Sequence, residues 1–226
     1  MFVPELVTVT GADDHTLRTE GLRRLRRLLR LDGVPRGRVE IGILLSGSRQ
    51  GGPRYPVPGA GAELMRLAHR LGFRVSFHLC GSFARRAFAG EVPVELDFIR
   101  GADRVQVNGK AGPHLEQLAK LFRRTELPPT IVLQSRGPEF PSDRRFDWLA
   151  DRSGGAGKLP DSWPRHEPRC GYAGGLSPEN VREELAKMGP VQGASWIDAE
   201  SGLRKGTDFS PERAALFDAR AFEVRS

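Results

Sequence analysis

The chain has 226 residues, enough for one domain to bury a full core without a disulfide or metal staple. A hydrophobic share of 38% and a charged share of 28% exclude an intrinsically disordered chain. No apolar run approaches the ~20 residues that a membrane helix needs, and the opening MFVPELVTVT has neither the basic start nor the long apolar stretch of a signal peptide, so no membrane association and a cytoplasmic location are expected. Two cysteines, Cys80 and Cys170, are too few for a disulfide framework or a zinc cage, and no metal site is expected.

The first apolar run, Leu6–Thr10, is rich in Val and Thr and reads as a strand. A turn at 11–14 leads into a helix predicted over Thr16–Leu31, with Leu22, Leu25, Leu28, Leu29 and Leu31 on one stripe. Arg23, Arg24, Arg26, Arg27 and Arg30 form the only basic cluster, read as the solvated face of that helix. The net charge of +7 attracts anions in general, but with no zinc-finger, RRM or KH signature no nucleic-acid partner is expected. Next come a strand at Arg38–Leu45, a loop rich in Gly and Pro, a helix at Ala60–Leu71, a strand at Phe73–Cys80 and a helix at Ser82–Ala89. A strand at Asp103–Asn108 precedes a helix at Pro113–Arg123, and strands follow at Thr130–Gln134, Trp148–Asp151 and Gly171–Gly174. Pro178–Met188 is predicted as a helix capped by Ser177, Ser195–Ala199 as a strand, and Pro211–Ala221 as a helix capped by Ser210.

Alternating strands and helices argue for a parallel sheet, and about eight such units fit a single-domain (β/α)8 TIM barrel of α/β class. An open doubly wound sheet is the runner-up, disfavoured because no G-x-G-x-x-G follows the first strand. Barrel chemistry lies at the C-terminal ends of strands. Those ends are Thr10-Gly11 followed by Asp13, Asp14 and His15; Ser46 with Arg49 and Arg54; Cys80-Gly81-Ser82; Gln106 and Asn108-Gly109; Gln134-Ser135; Asp151; Gly174-Gly175; and Asp198 to Gly202.

Gly174-Gly175 and Ser201-Gly202 lie in the last two strand-to-helix loops, where backbone N–H groups favour phosphate. Asp151 is the best acid–base candidate, ahead of Gly154-Gly155-Ala156-Gly157-Lys158, which lacks the spacing of a nucleotide P-loop. Arg54 suits a carboxylate. His78 and Cys80 share one face of a strand, which fits plain packing, a ligand-lining role or, least well, a nucleophile.

Taken together, these segments resemble the phosphoribosylanthranilate isomerase family, the barrel enzymes of tryptophan synthesis. LADRSGGAGK at 149–158, AGGLSPENV at 173–181 and DAESGLRKGTD at 198–208 are similar to that family's L-D-x…G-G-T-G, A-G-G-L-x-P-x-N-V and D-x-S-S-G-V-E…G-x-K-D segments. VQVNG at 105–109 resembles V-Q-L-H-G, and GPRY at 52–55 resembles S-P-R-Y. The resemblance implies a cofactor-independent Amadori rearrangement of a phosphorylated sugar derivative, a small-molecule partner. It implies Asp151 as the acid on the ring oxygen, Arg54 as the carboxylate holder, and Gly174, Gly175, Ser201 and Gly202 as the phosphate site; Gln106 and Asn108, in the VQVNG segment, are expected to bind substrate.

The family's base is a cysteine in a C-G pair ending the first strand, and here that pair is Thr10-Gly11. A threonine hydroxyl is too weak an acid to serve as an equivalent base, so Asp13, Asp14 or Cys80 is expected in its place. The alternatives are a barrel that binds a phosphorylated metabolite without turnover, or another phosphosugar enzyme that uses Cys80. Asn108 stands where the family has histidine, and Glu200 where it has serine, with Arg204 or Lys205 as the expected counter-charge.

Overall fold

A computed structural model of the chain describes residues 2–35, 37–110, 115–121, 129–165, 167–189 and 195–222. Eight parallel strands close on themselves in chain order: β1 (Leu6–Thr10), β2 (Val39–Ser46), β3 (Arg74–Cys80), β4 (Arg104–Val107), β5 (Thr130–Ser135), β6 (Asp147–Ala150), β7 (Cys170–Ala173) and β8 (Ser195–Ala199). The closing pair sets Thr8 opposite Asp198, and on the other edge of β1 Thr10 lies opposite Gly42. The expected (β/α)8 barrel is therefore the architecture found. Among the described residues no helix is long and apolar enough to cross a membrane.

Outward-facing Val, Ile and Leu of the strands meet the helices in one continuous core. The barrel interior instead holds a small apolar cluster, Leu6, Val132, Leu149, Ala173 and Trp196. Beneath the mouth lies a buried ion pair: Arg104 Nε donates to Glu40 Oε2 at 2.8 Å and its Nη2 to Oε1 at 2.5 Å. Thr8 Oγ1 donates to the same Glu40 Oε1 at 3.0 Å, and the Arg104 guanidinium lies 4.3 Å from the Trp196 ring. A Cβ on Gly42 would sit 2.1 Å from Thr10 Oγ1, so this glycine makes the room that lets Thr10 turn into the barrel.

The predicted helix at 16–31 is two helices, α1 (Asp14–Arg18) and α2 (Gly21–Leu31), because Glu20 takes a left-handed conformation with φ of 53°. On α2, Leu22, Leu25 and Leu29 are buried as expected; Leu31 is exposed and Arg26 is buried, against the predicted stripe. The basic face is partly neutralised by ion pairs from Arg23 to Glu20 and from Arg24 to Glu212. Helix α3 (Pro58–Arg70) starts two residues earlier than expected, since proline suits the first helical turn.

Helix α4 (Ser82–Phe88) follows β3, and an unpredicted 3-10 turn at Val94–Gly101 precedes β4. Helix α5 spans Leu115–Leu121; the other ends of its predicted range, 113–114 and 122–123, lie outside the described residues. Helix α6 is Val181–Met188 with Asn180 as its cap residue, not Ser177: the segment 178–180 is a turn in which Asn180 Oδ1 accepts from the Ser177 N–H. Ser210 does cap α7 (Pro211–Phe222), accepting from the Arg213 N–H at 3.3 Å. A short hairpin, β9 (Arg204–Lys205) with β10 (Asp208–Phe209), joins β8 to α7.

The count of eight strand–helix units is corrected behind β5 and β6, where the described residues form no helix before the next strand. There the loops cover the barrel with rings instead. Phe140 and Trp163 each meet Tyr172 edge-on at 5.7 Å, and Phe2 closes the cluster at the same distance. Trp163 Nε1 also donates to Glu184 of α6 at 2.8 Å, which pins the loop after β6.

Candidate active site

The C-terminal ends of the strands open onto a cavity of about 560 Å³. Of the residues singled out in the sequence, Arg54, His78, Gln106, Asn108, Gln134, Asp151, Gly174, Gly175, Asp198, Glu200 and Ser201 are among those that line it. A second, wider space of about 1150 Å³ adjoins it over β2 to β5, lined by Ser46, Arg49, Tyr55, Cys80 and Arg136; Arg54, Asn108, Gln134 and Glu200 border both.

Asp151 follows β6 directly and is 5% exposed. Gln134 at the end of β5 accepts the Gly109 N–H on its Oε1 at 3.2 Å, which fixes its amide so that Nε2 donates to Asp151 Oδ2 at 3.2 Å. Ser153 Oγ donates to the other oxygen at 2.8 Å. The carboxyl is thus locked in one orientation at the cavity wall.

Beside Thr10 the structure places Asp198, which the sequence showed only as a strand end with no role of its own. It is the fourth residue of β8, lines the cavity, and accepts a hydrogen bond from Thr10 Oγ1 at 2.7 Å. Burial pushes its carboxyl up to about 7, against the stabilising hydrogen bond from Thr10, and the Glu200 and Glu40 charges push the same way as burial. Such a group takes and gives a proton near neutral pH. The sequence showed Asp198 as a strand end; its partner Thr10 is 188 positions away and only barrel closure joins them.

The expected replacements for the cysteine fare differently. Asp13 is the N-cap of α1, its Oδ1 accepting the Thr16 N–H at 3.1 Å, while Oδ2 accepts the Arg54 N–H at 2.9 Å and faces Arg204 Nη2 at 3.5 Å. Both oxygens are hydrogen-bonded or ion-paired within the fold, and Asp13 borders neither space. Asp14 opens α1 and also borders neither space. Cys80 sits in the wider space, where burial raises its thiol to about 11 despite the Asn108 amide donating to Sγ at 3.3 Å. A thiol so protonated is a poor base or nucleophile at neutral pH.

Arg54 holds a left-handed backbone, φ 66°, pinned by its N–H to Asp13. Its guanidinium donates to Glu200 Oε1 at 2.6 Å across the mouth. The direct ion-pair partner of Glu200 is Arg54; the expected Arg204 also feels the Glu200 charge, but its hydrogen bonds go to the Gly11 carbonyl at 3.1 Å and the Thr207 carbonyl, and its Nη2 faces Asp13. Lys205 lies on β9 and borders neither space.

The loops after β6, β7 and β8 meet with no room for side chains. A Cβ on Gly175 would lie 2.4 Å from the Leu159 nitrogen, and one on Gly157 would lie 2.5 Å from Ser201 Oγ. Among the described residues no hydrogen bond takes up the backbone N–H of Gly175, Leu176, Ser201 or Gly202. Gly202 stands behind this wall, against the Leu176 carbonyl. The free amides of Gly175, Leu176 and Ser201, around a glycine-lined corner of the cavity, form the kind of cradle that accepts an anion. Among the described residues no group of three or more His, Cys, Asp or Glu side chains is arranged to hold a metal ion.

No protein-family model and no curated protein matches the chain. Solved structures do. Phosphoribosyl anthranilate isomerase from Thermococcus kodakaraensis is 18% identical with a TM-score of 0.59 over 96% of this chain and 98% of that one. N-(5'-phosphoribosyl)anthranilate isomerase from Pyrococcus furiosus is 18% identical with a TM-score of 0.60 over 97% and 99%. 3-Hexulose-6-phosphate synthase from Salmonella typhimurium is 15% identical with a TM-score of 0.55 over 96% and 98%. At these identities the likeness establishes the TIM-barrel fold that this chain shares with several kinds of barrel enzyme.

Proposed function

We propose that this protein is a phosphosugar isomerase of the phosphoribosylanthranilate isomerase type, catalysing an Amadori rearrangement of a phosphoribosyl amine. The observation that carries the reading is that Asp151 and Asp198 line one cavity with the unpaired amides of the β7 and β8 loops. The phosphate sits on the N–H groups of Gly175, Leu176 and Ser201, which line the cavity. Asp151 gives its proton to the ring oxygen, the C1–O bond breaks, and the nitrogen lone pair forms the C1=N bond. Asp198, as carboxylate, removes the proton from C2, and those electrons form the C1=C2 bond of an enaminol. Reprotonation at C1 with loss of the C2 hydroxyl proton gives the 1-amino ketose, so atoms and electrons balance without a co-reactant. Thr10 holds Asp198 in place, and Asp198 thus fills the task of the family's cysteine.

The test is turnover of phosphoribosylanthranilate by the purified protein, followed by loss of substrate fluorescence, with Asp151→Asn and Asp198→Asn alongside. Each variant should lose about 10²–10⁴-fold, the usual contribution of one proton-transfer group. No turnover by folded wild-type protein overturns the reading.

One observation favours a second reading. Because Glu200 already occupies the Arg54 guanidinium, a phosphorylated metabolite without a carboxylate suits the mouth better than an anthranilate conjugate. That reading predicts binding of ribose 5-phosphate together with inertness toward phosphoribosylanthranilate. An enzyme built on Cys80 has little support, given its raised thiol.

A further inference from the structure

We propose that His78 is a ligand-contacting residue whose Nε2–H donates a hydrogen bond to a hydroxyl oxygen of a sugar phosphate in the inner cavity. The proposal deepens the phosphosugar reading and rests on its phosphate cradle. His78 lies in the upper half of β3, paired with Leu44 of β2 and Gln106 of β4, and is 2% exposed at the cavity floor. Its orientation follows from a chain of amides. Asn108 Nδ2 donates to Cys80 Sγ at 3.3 Å, which turns Asn108 Oδ1 toward Gln106, and Gln106 Nε2 donates to it at 2.8 Å. The same Gln106 Nε2 faces His78 Nδ1 at 3.5 Å. An amide N–H there makes Nδ1 the acceptor, so a neutral imidazole carries its single proton on Nε2. Burial and the Arg104 charge keep the ring neutral by lowering its pKa to about 3.

Nε2 has no protein partner among the described residues, and it is fully buried. A buried donor without an acceptor costs about 1–3 kcal/mol. Nε2 lies at the far end of the ring from the backbone, and His78 lines the inner cavity together with Leu44, Leu149, Ala173, Asp151 and Asp198. β3 stands four strands away from β7, so in a closed ring of eight the imidazole faces the phosphate loops from across the barrel. A ligand anchored by phosphate at β7 and β8 therefore extends its carbon chain toward β3. A neutral donor facing a cavity that already holds two carboxyl groups matches an uncharged oxygen, not a second anion. The class of ligand is thus a phosphate ester of a polyhydroxylated chain.

The experiment uses protein labelled with ¹⁵N at histidine, titrated with inorganic phosphate and with ribose 5-phosphate, and the variants His78→Leu and His78→Gln. The glutamine amide reaches close to the position of imidazole Nε2. Expected are a His78 signal with the proton on Nε2, a shift of that signal with ribose 5-phosphate and none with phosphate. His78→Leu should bind ribose 5-phosphate about tenfold or more weaker, with phosphate affinity unchanged, and His78→Gln should retain most of the wild-type affinity. If His78→Leu does not fold, the titration of wild-type protein decides. A proton on Nδ1, or phosphate binding with a His78 signal indifferent to ribose 5-phosphate, overturns the role of His78 and leaves the cradle standing. Failure of both probes to bind overturns the cradle, and the proposal with it.

Discussion

Thr10→Val is the sharpest probe of the Asp198 assignment. Valine keeps the shape of threonine and deletes the hydroxyl that donates to Asp198 Oδ1 at 2.7 Å. The carboxyl already titrates at about 7, because burial outweighs that one stabilising contact. A hydrogen bond to a charged group is worth about 1.5–3 kcal/mol. At about 1.4 kcal/mol per pKa unit, its loss moves the titration up by roughly one to two units. The carboxyl carbon of Asp198, followed by ¹³C NMR against Asp198→Asn for assignment, should therefore titrate near neutrality in wild type and well above it in Thr10→Val. If the reaction is the proposed one, the acid limb of kcat/KM moves by the same amount, and at pH 7 the variant is slower by about 5–50-fold. A carboxyl whose titration is unmoved by Thr10→Val, or a limb that stays while the carboxyl moves, refutes the reasoning.

Three further outcomes are expected. Glu40→Gln leaves Arg104 charged and unpaired in the barrel, and denaturant unfolding should show a loss of about 3–5 kcal/mol; the paired change Glu40→Leu with Arg104→Met should recover most of it, and an equal loss in the double variant contradicts the account. Glu200→Gln frees Arg54 and removes a charge that raises Asp198; KM for a carboxylated substrate should fall about tenfold, with the acid limb displaced downward, and an unchanged KM argues against Arg54 as the carboxylate holder. Asp218 is buried on α7 with neither oxygen hydrogen-bonded among the described residues, and burial pushes its carboxyl well above the usual range. Above pH 4 the unfolded chain ionises this group while the folded chain keeps its proton, so it costs stability as pH rises. Asp218→Asn should raise the melting temperature at pH 7 and do little at pH 4; equal gains at both would mean that ionisation is not the cause.

The strands were legible because their apolar runs are short and bounded by Gly, Pro or Asp; β8 was predicted residue for residue. The helix start at 178 was misplaced because proline after serine imitates a cap, while the Asn180 side chain had already closed a turn there. The gap behind β5 and β6 was hidden, since isolated Phe140 and Trp163 carry no period; their meeting at Tyr172 is a tertiary event. Asp13 illustrates the limit at the site. Its local pattern with Thr16 signals a capping residue, but the pull of Arg204 from 191 positions away does not show in the sequence. Asp198 is the reverse case, visible as a strand end and meaningless as a base until β8 closes against β1.

The aromatic patch that stands in for helices behind β5 and β6 also sets where the molecule opens first. Asp151 follows the four-residue β6, flanked by the four-residue β7, and this arc rests on ring edges where its neighbours rest on whole helices. Protection against amide exchange is lowest where few apolar contacts shield a strand. The amides of β6 and β7 should exchange ahead of those of β1 to β3, through an excursion that leaves the rest of the barrel closed. On warming, the orientation of Asp151 should then be lost before the fold is, so that any turnover depending on it fails below the melting temperature, at a point set by the aromatic contacts of Tyr172 with Phe2, Phe140 and Trp163.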